Sequence, residues 1–429
     1  MKTIFYFKEK IDKCCLTFYR SVDGLITFLL KSLVLSIINE KLILSSSFLL
    51  LFNLQLGHAQ NNLNSIAITP IQGVKTFSTY NNPLKGSFYG AELAYQLNMG
   101  SNNADWVRLL HVKDIGLIAT YFNLGDISIA GKQGIRGSFG NNYGITSCLN
   151  LSLFETDKIS LIFSPGIGIG YSTQTFYTTD NPIVGSHINL AIRAGLKLET
   201  PISSSTRIQA GVNFSHYSNA STQLPNDGLN NVYASLGVVR DIDHSGPTTQ
   251  KTTFGIDNKH SFEFSLGVGR RGFVKTGLFK NPETGVNMYL TDSAAQKKTA
   301  SNLYQAALYA GYSYRLNQLL SLKIGTDAVY YSKTFSWDNF FRTYQGSGTS
   351  YDHLSVGLSA GTDIWLGRLA FTANYGYYLH YNSLYPIHFY SAIGGKYYIT
   401  NRLALSTVYR SHSSGPHYVS SGVLFTLPE

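Results

Sequence analysis

An all-β, antiparallel transmembrane β-barrel of about sixteen strands in two halves is the fold class this sequence predicts, and three observations predict it. Charged residues make up only 14% of the chain, against roughly 25% in ordinary soluble domains. Tyr (30), Phe (25) and Gly (40) are abundant, and with a mean hydropathy of -0.03 this composition does not suit a soluble α/β enzyme. Segment after segment alternates apolar with polar residues, the pattern of strands that show one wall to lipid and the other to a lumen. Past the N-terminal region no window approaches the roughly 18 uninterrupted apolar residues of a helical span.

At the N-terminus, Lys41 precedes the apolar run Leu42 to Leu56 (LILSSSFLLLFNLQL) and then Gly57-His58-Ala59-Gln60. A basic residue, an apolar core and small residues before the cut make a secretory signal peptide cleaved after Ala59. Residues 1–59 are therefore expected to be a leader. A second apolar stretch, Leu25 to Ile38, is broken by Lys31, and an N-terminal anchor is the alternative use of this region. Cys14 and Cys15 fall in the leader, so Cys148 is left without a disulfide partner.

From Ser65 onward, strand-like segments are separated by Asn, Gly, Asp and Ser turns. Ser186 to Glu199 is the clearest. Its even positions (Ile188, Leu190, Ile192, Ala194, Leu196, Leu198) form an apolar wall, and its odd positions are mostly polar. Roughly eight such segments precede Arg240 and roughly eight follow Lys259, at the ten-residue scale of outer-membrane strands. The polar link 241–258, with its Gly246-Pro247 turn, divides a half at 60–240 from a half at 259–429. No long Gly/Pro/Ser linker separates them, which favours one continuous barrel over the alternative of two tandem eight-stranded barrels.

The net charge is +10. Its basic residues are scattered, with seven in the first 41 positions (Lys2, Lys8, Lys10, Lys13, Arg20, Lys31, Lys41), so no stripe suited to nucleic acid forms. A basic barrel would favour anionic lipid. No Cys/His spacing suggests a zinc site. His412 and His417, five apart, would face opposite sides of one strand. Gly166-Ile167-Gly168-Ile169-Gly170 has no helix pattern after it, so its small residues suit barrel curvature rather than a phosphate loop. Tyr375, Tyr377, Tyr378 and Tyr381 suit an interfacial girdle, with sugar stacking as the alternative. No cofactor is expected.

The segment His216 to Asn230 (HYSNASTQLPNDGLN) carries the chemistry. His216 and Ser218 lie two apart on a strand, so base and nucleophile share a face. Period two assigns that face. Ile208, Ala210, Val212 and Phe214 precede them on the apolar wall, and Asn230 heads the apolar wall of the next strand (Val232, Ala234, Leu236, Val238). Three polar groups would then meet at the rim of a lipid-facing surface. Read alone, they also suit interface residues bonded to headgroups or to the adjoining loop. The echo SHSS at 411–414 shares its wall with Arg402 and Arg410, which belong in a lumen, so His412 and Ser414 are expected to point inward.

HYSNA followed by PNDG, with GIGIGYS and SHINLAIRAGLKLE before them, resembles the outer-membrane lipid A 3-O-deacylases of the PagL type. The resemblance runs from about Gly166 to Val239 and is weak elsewhere. The long form is similar to acyloxyacyl-hydrolase-type proteins. It implies a serine esterase that removes the 3-O acyl chain of lipid A at the outer membrane, with lipopolysaccharide and membrane lipids as partners. By position, His216 is the base and Ser218 the nucleophile, and Asn219 lies in the oxyanion segment. The family's third member is a glutamate where this chain has Asn230. An amide orients an imidazole but does not offset its charge, so Asp227, in the following turn, is an alternative support. A phospholipase and a non-catalytic barrel, structural or a pore, are the competing readings.

Overall fold

The structure is a computed structural model that describes residues 63–79, 83–100, 102–129, 139–242, 259–273, 277–280, 287–290, 301–332, 334, 352–383, 387–412 and 415–428. The expected leader lies outside the described residues. Most of the rest is strand. In the first half these are β1 (Asn64–Phe77), β2 (Leu84–Lys85), β3 (Tyr89–Asn98), β4 (Val112–Asn123), β5 (Ser128–Ile129), β6 (Asn141–Glu155), β7 (Ser160–Phe163), β8 (Gly166–Ser172), β9 (Ile188–Ser203), β10 (Thr206–Ser218) and β11 (Leu229–Ile242). The second half has β12 (His260–Phe273), β13 (Gly277–Lys280), β14 (Asn287–Leu290), β15 (Ser301–Arg315), β16 (Leu320–Tyr331), β17 (Leu354–Leu366), β18 (Leu369–His380), β19 (Phe389–Tyr398), β20 (Leu403–His412) and β21 (Gly415–Pro428). No helix among the described residues is long and apolar enough to cross a membrane.

The strands form two rings. In the first, antiparallel pairing runs β1–β3–β4–β6, passes through β7 and β8 as one interrupted stave, continues β9–β10–β11, and returns to β1. Asn64 pairs with Ile242 at the closure. The second ring is β12–β15–β16–β17–β18–β19–β20–β21, closed by β12 against β21. The expected eight-plus-eight staves are present, but the single sixteen-stranded barrel favoured from the sequence is not. Such a barrel needs β11 paired with β12, whereas each half satisfies its own edge strands within itself. Closing each edge this way meets the requirement that no strand edge stay open in lipid.

Alternation sets the two walls. Ile188, Leu196 and Leu198 of β9, Val212 of β10 and Leu236 and Val238 of β11 are about half exposed or more, facing outward. The odd residues between them, Arg193, Lys197, Glu199, Gln209 and Asn213, are buried in the lumen. Several of the lumen charges are paired. Arg193 holds Glu92 at 2.8 and 3.2 Å, and Tyr233 donates to the same carboxylate at 2.8 Å. In the second lumen, Lys396 holds Glu263 and Asp363 at 2.7 and 2.6 Å, and Lys323 meets Glu263 at 2.8 Å. Removing one partner of such a buried pair costs about 3–5 kcal/mol, so these pairs fix the lumen packing.

At one end of the first ring, Ile71, Phe88, Phe122, Leu124, Ile183, Tyr217 and Tyr233 form an apolar cluster inside the barrel. Gly168 and Gly170 of β8 serve close packing. A Cβ on Gly168 would strike the Ile145 carbonyl of β6, and one on Gly170 would strike the Tyr217 ring. This fits the curvature reading of the GIGIG run. Cys148 is a buried free thiol.

Candidate active site

β10 delivers His216 and Ser218 to the rim at the same end as that apolar cluster. Its register sets His216 opposite Asn230 of β11 on one side and Ile192 of β9 on the other, and Ser218 opposite Leu190. Parity places all three polar residues on the outward wall, continuous with Ile208, Val212 and Leu236. Lower on that wall Val212 is 61% exposed, yet His216 is 0%, Ser218 1% and Asn230 1%. The segment 219–228 accounts for the difference, because it folds back over the strand ends.

The hydrogen bonds define the chemistry. Asn230 Oδ1 accepts from His216 Nδ1 at 2.8 Å. With the proton on Nδ1, Nε2 keeps its lone pair, the form a general base needs. That Nε2 is buried and has no hydrogen-bond partner. Ser218 Oγ engages Asn226 instead of His216. It donates to Oδ1 at 3.2 Å and accepts from Nδ2 at 3.0 Å. Asn226 Oδ1 also accepts from the Asn219 backbone N–H at 2.7 Å, and the Ala220 N–H points at Ser218 Oγ from 3.4 Å.

Asn219 uses its side chain to tie the loop. Nδ2 donates to the Gln223 carbonyl at 2.9 Å, and Oδ1 accepts from the Gln223 N–H at 3.3 Å. Asp227 holds the loop by its backbone: its carbonyl accepts from the Thr79 N–H and hydroxyl (3.1 and 2.8 Å), and its N–H donates to Ile183 at 2.9 Å. The group that meets His216 Nδ1 in the structure is Asn230. Asn226 was missed by the sequence reading. Its signal lay in PND, one residue before the Asp227 singled out. Ala220 and Ser221 hold left-handed backbones, with φ of 49° and 55°. Side chains disfavour that conformation by about 1–2 kcal/mol per residue, so packing must hold the turn.

The echo in the second ring is built differently. His412 faces the lumen and its Nε2 meets the Tyr378 hydroxyl at 2.7 Å, while Ser414 lies outside the described residues. His417 is not on the far side of the same strand. It sits on β21, after the turn, with its ring 4.3 Å from that of His412 and its Nε2 2.7 Å from the Tyr331 hydroxyl. The tyrosine girdle is likewise divided. Tyr377 is exposed and stacks on His388, whereas Tyr378 is buried and stacks on Tyr381 inside the lumen. Among the described residues no group of three or more His, Cys, Asp or Glu could hold a metal ion.

Two family models match this chain. Lipid A 3-O-deacylase (PagL) matches residues 89–239, and the acyloxyacyl hydrolase C-terminal domain matches residues 260–429. The first half of the chain belongs to the PagL lipid A 3-O-deacylase family, and the second half is its acyloxyacyl hydrolase C-terminal domain. The first model takes in β3 to β11 and therefore His216, Ser218, Asn226 and Asn230, and the second takes in the whole second ring. Among solved structures the chain is similar to the outer membrane enzyme PagL, at 18% identity, covering 40% of this chain and 97% of that one with a TM-score of 0.28. CdiB from Acinetobacter baumannii aligns at 12% identity over 86% of this chain and 60% of its own, with a TM-score of 0.17. The Pseudomonas putida toluene transporter TodX aligns at 11% over 85% and 89%, with a TM-score of 0.16. Scores this low leave the fold to the strand pairing itself. A search of curated proteins found no match.

Proposed function

We propose that this protein is an outer-membrane serine esterase that removes the ester-linked acyl chain at the 3-O position of lipid A. The observation that carries it is His216, held through Nδ1 by Asn230 and with Nε2 unbonded, on the same strand face as Ser218 at the rim of a lipid-facing wall. A lipid ester lying along that wall approaches Ser218 from the side where its acyl chain is already dissolved. The loop 219–228 must yield for the ester to enter, and the ester carbonyl then takes up the donors that now serve Ser218 Oγ.

In this reading His216 Nε2 takes the Ser218 proton as Oγ attacks the ester carbonyl carbon. Asn226 Nδ2 and the Ala220 N–H stabilise the oxyanion, a kind of contribution worth about 2.7–4 kcal/mol per donor. The C–O bond to the sugar breaks, and His216 returns its proton to the departing hydroxyl. Water, deprotonated by His216, releases the fatty acid from Ser218. Asn230 keeps the imidazole in the right tautomer throughout, but it leaves the imidazolium charge unbalanced. The loop excludes water and strengthens each of these contacts.

Mass spectrometry of lipid A from cells expressing the protein tests this. The parent should remove one 3-hydroxyacyl chain, and His216→Ala and Ser218→Ala should not. An unchanged lipid A spectrum from cells whose barrel is folded would overturn the proposal, and fatty acid released from phospholipid instead would move it to a phospholipase. Apolar packing at the rim and paired charges in both lumens weigh against a pore.

A further inference from the structure

The second ring reaches the candidate site through the loop that follows Ser218. Arg270, on the outward wall of β12, donates from Nε and Nη2 to the Thr222 carbonyl at 3.3 and 3.1 Å. The Gly272 N–H bonds the Ser221 carbonyl. Ala220 is fully buried in a cluster with Tyr409 of β20 and Val419 of β21. A Cβ on Gly272 would lie 2.7–2.8 Å from the backbone of Thr222 and Gln223, so only glycine admits this approach. The contacts fall on residues 220–223, which span the two left-handed residues. The turn that the chain disfavours by itself is thus gripped from the neighbouring ring.

We infer that the second barrel is a clamp, which through Arg270 and Gly272 holds the loop carrying Asn219, Ala220 and Asn226 in register with Ser218. First-ring contacts grip the 223–227 side of the loop: Thr79 and Ile183 hold Asp227, Tyr177 donates to the Leu224 carbonyl at 2.9 Å, and Gly185 lies close against the Gln223 carbonyl. β12, β20 and β21 add the grip on residues 220–222, beside the bonds Asn219 makes within the loop. This gives the acyloxyacyl hydrolase C-terminal domain a task in the same reaction without any reacting group of its own. The catalytic consequence rests on the esterase reading above, whereas the clamp itself does not. Arg270 is a positioning residue, since it touches the loop and not Ser218.

Hydrogen-exchange mass spectrometry of the full chain in detergent micelles tests the clamp. The probe is the peptide over 219–228, whose Asn219, Thr222 and Gln223 amides are hydrogen-bonded. Arg270→Ala and Gly272→Ala should each speed its exchange ~10-fold through local opening. Arg270→Lys should restore part of the protection. Arg240→Ala, on an exposed site of β11, should match the parent. On lipid A, Arg270→Ala should lower kcat with KM unchanged. Unchanged exchange in both Arg270→Ala and Gly272→Ala would overturn the clamp, whatever the activity. Faster exchange in a parent chain that lacks deacylase activity would keep the clamp and discard the esterase reading.

Discussion

Two rims of this molecule carry nearly the same four letters, SHYS at 215–218 and SHSS at 411–414, on opposite walls of their barrels. His216 lies on the outward wall, bonded to an amide and with one nitrogen free. His412 lies on the inward wall among Tyr378, Tyr381 and His417, with no described serine hydroxyl in its hydrogen bonding. A one-residue change of parity moves a motif from lipid to lumen. A hydrolase of membrane lipid needs the first arrangement, because an acyl ester dissolved in the bilayer reaches the outer wall and not the lumen. The motif acquires its meaning from the wall it occupies.

The two rims should differ most in what Ser218 does. Ser218→Ala should lower 3-O-deacylation by on the order of 10⁴–10⁶-fold, as loss of a nucleophile does, when acyl release is followed by mass spectrometry. Next comes the donor found only in the structure. Asn226→Ala should cost ~10²–10³ in kcat with little change in KM, the signature of a lost oxyanion donor; an equal rise in KM instead would make Asn226 a loop tether. Replacing Asn230 by glutamate sharpens the contrast in the other direction. A charge-assisted hydrogen bond is about twice as strong as a neutral one, so Asn230→Glu should raise kcat roughly 10-fold, near 1.4 kcal/mol of barrier. Smallest of all is the lumen histidine. His412→Phe should leave deacylation within about twofold, since it removes no group that meets the transition state, and a large loss would give the second rim a part in the chemistry.

Much of the fold was legible because period two is a local property. The outward residues of β9, β10 and β11 were assigned from alternation, and Val212, Leu196 and Leu236 stand in the open as alternation requires. The facing of His216 and Asn230 followed from the same rule applied across one hairpin. Ring closure was not legible, because nothing in β1 or β11 names a partner more than a hundred residues away, and one ring or two have the same alternation. Parity also stops at a turn. Along one strand His412 and His417 would face opposite sides, but the chain reverses between them and brings their rings together. Coverage of the site was hidden for a similar reason. It depends on where 219–228 folds back and on Arg270 and Gly272 from the other half, and the pattern of neither segment records that meeting.

On the proposed reading, His216 on the outward wall activates Ser218 as a nucleophile. The most direct measurement is labelling of the folded protein in detergent with a long-chain alkyl fluorophosphonate, with the adduct located by peptide mass spectrometry. The adduct should form on Ser218 in the parent, be lost in His216→Ala, and form faster in Asn230→Glu. A parent that stays unlabelled at Ser218, or a His216→Ala chain labelled as fast as the parent, would contradict that reading.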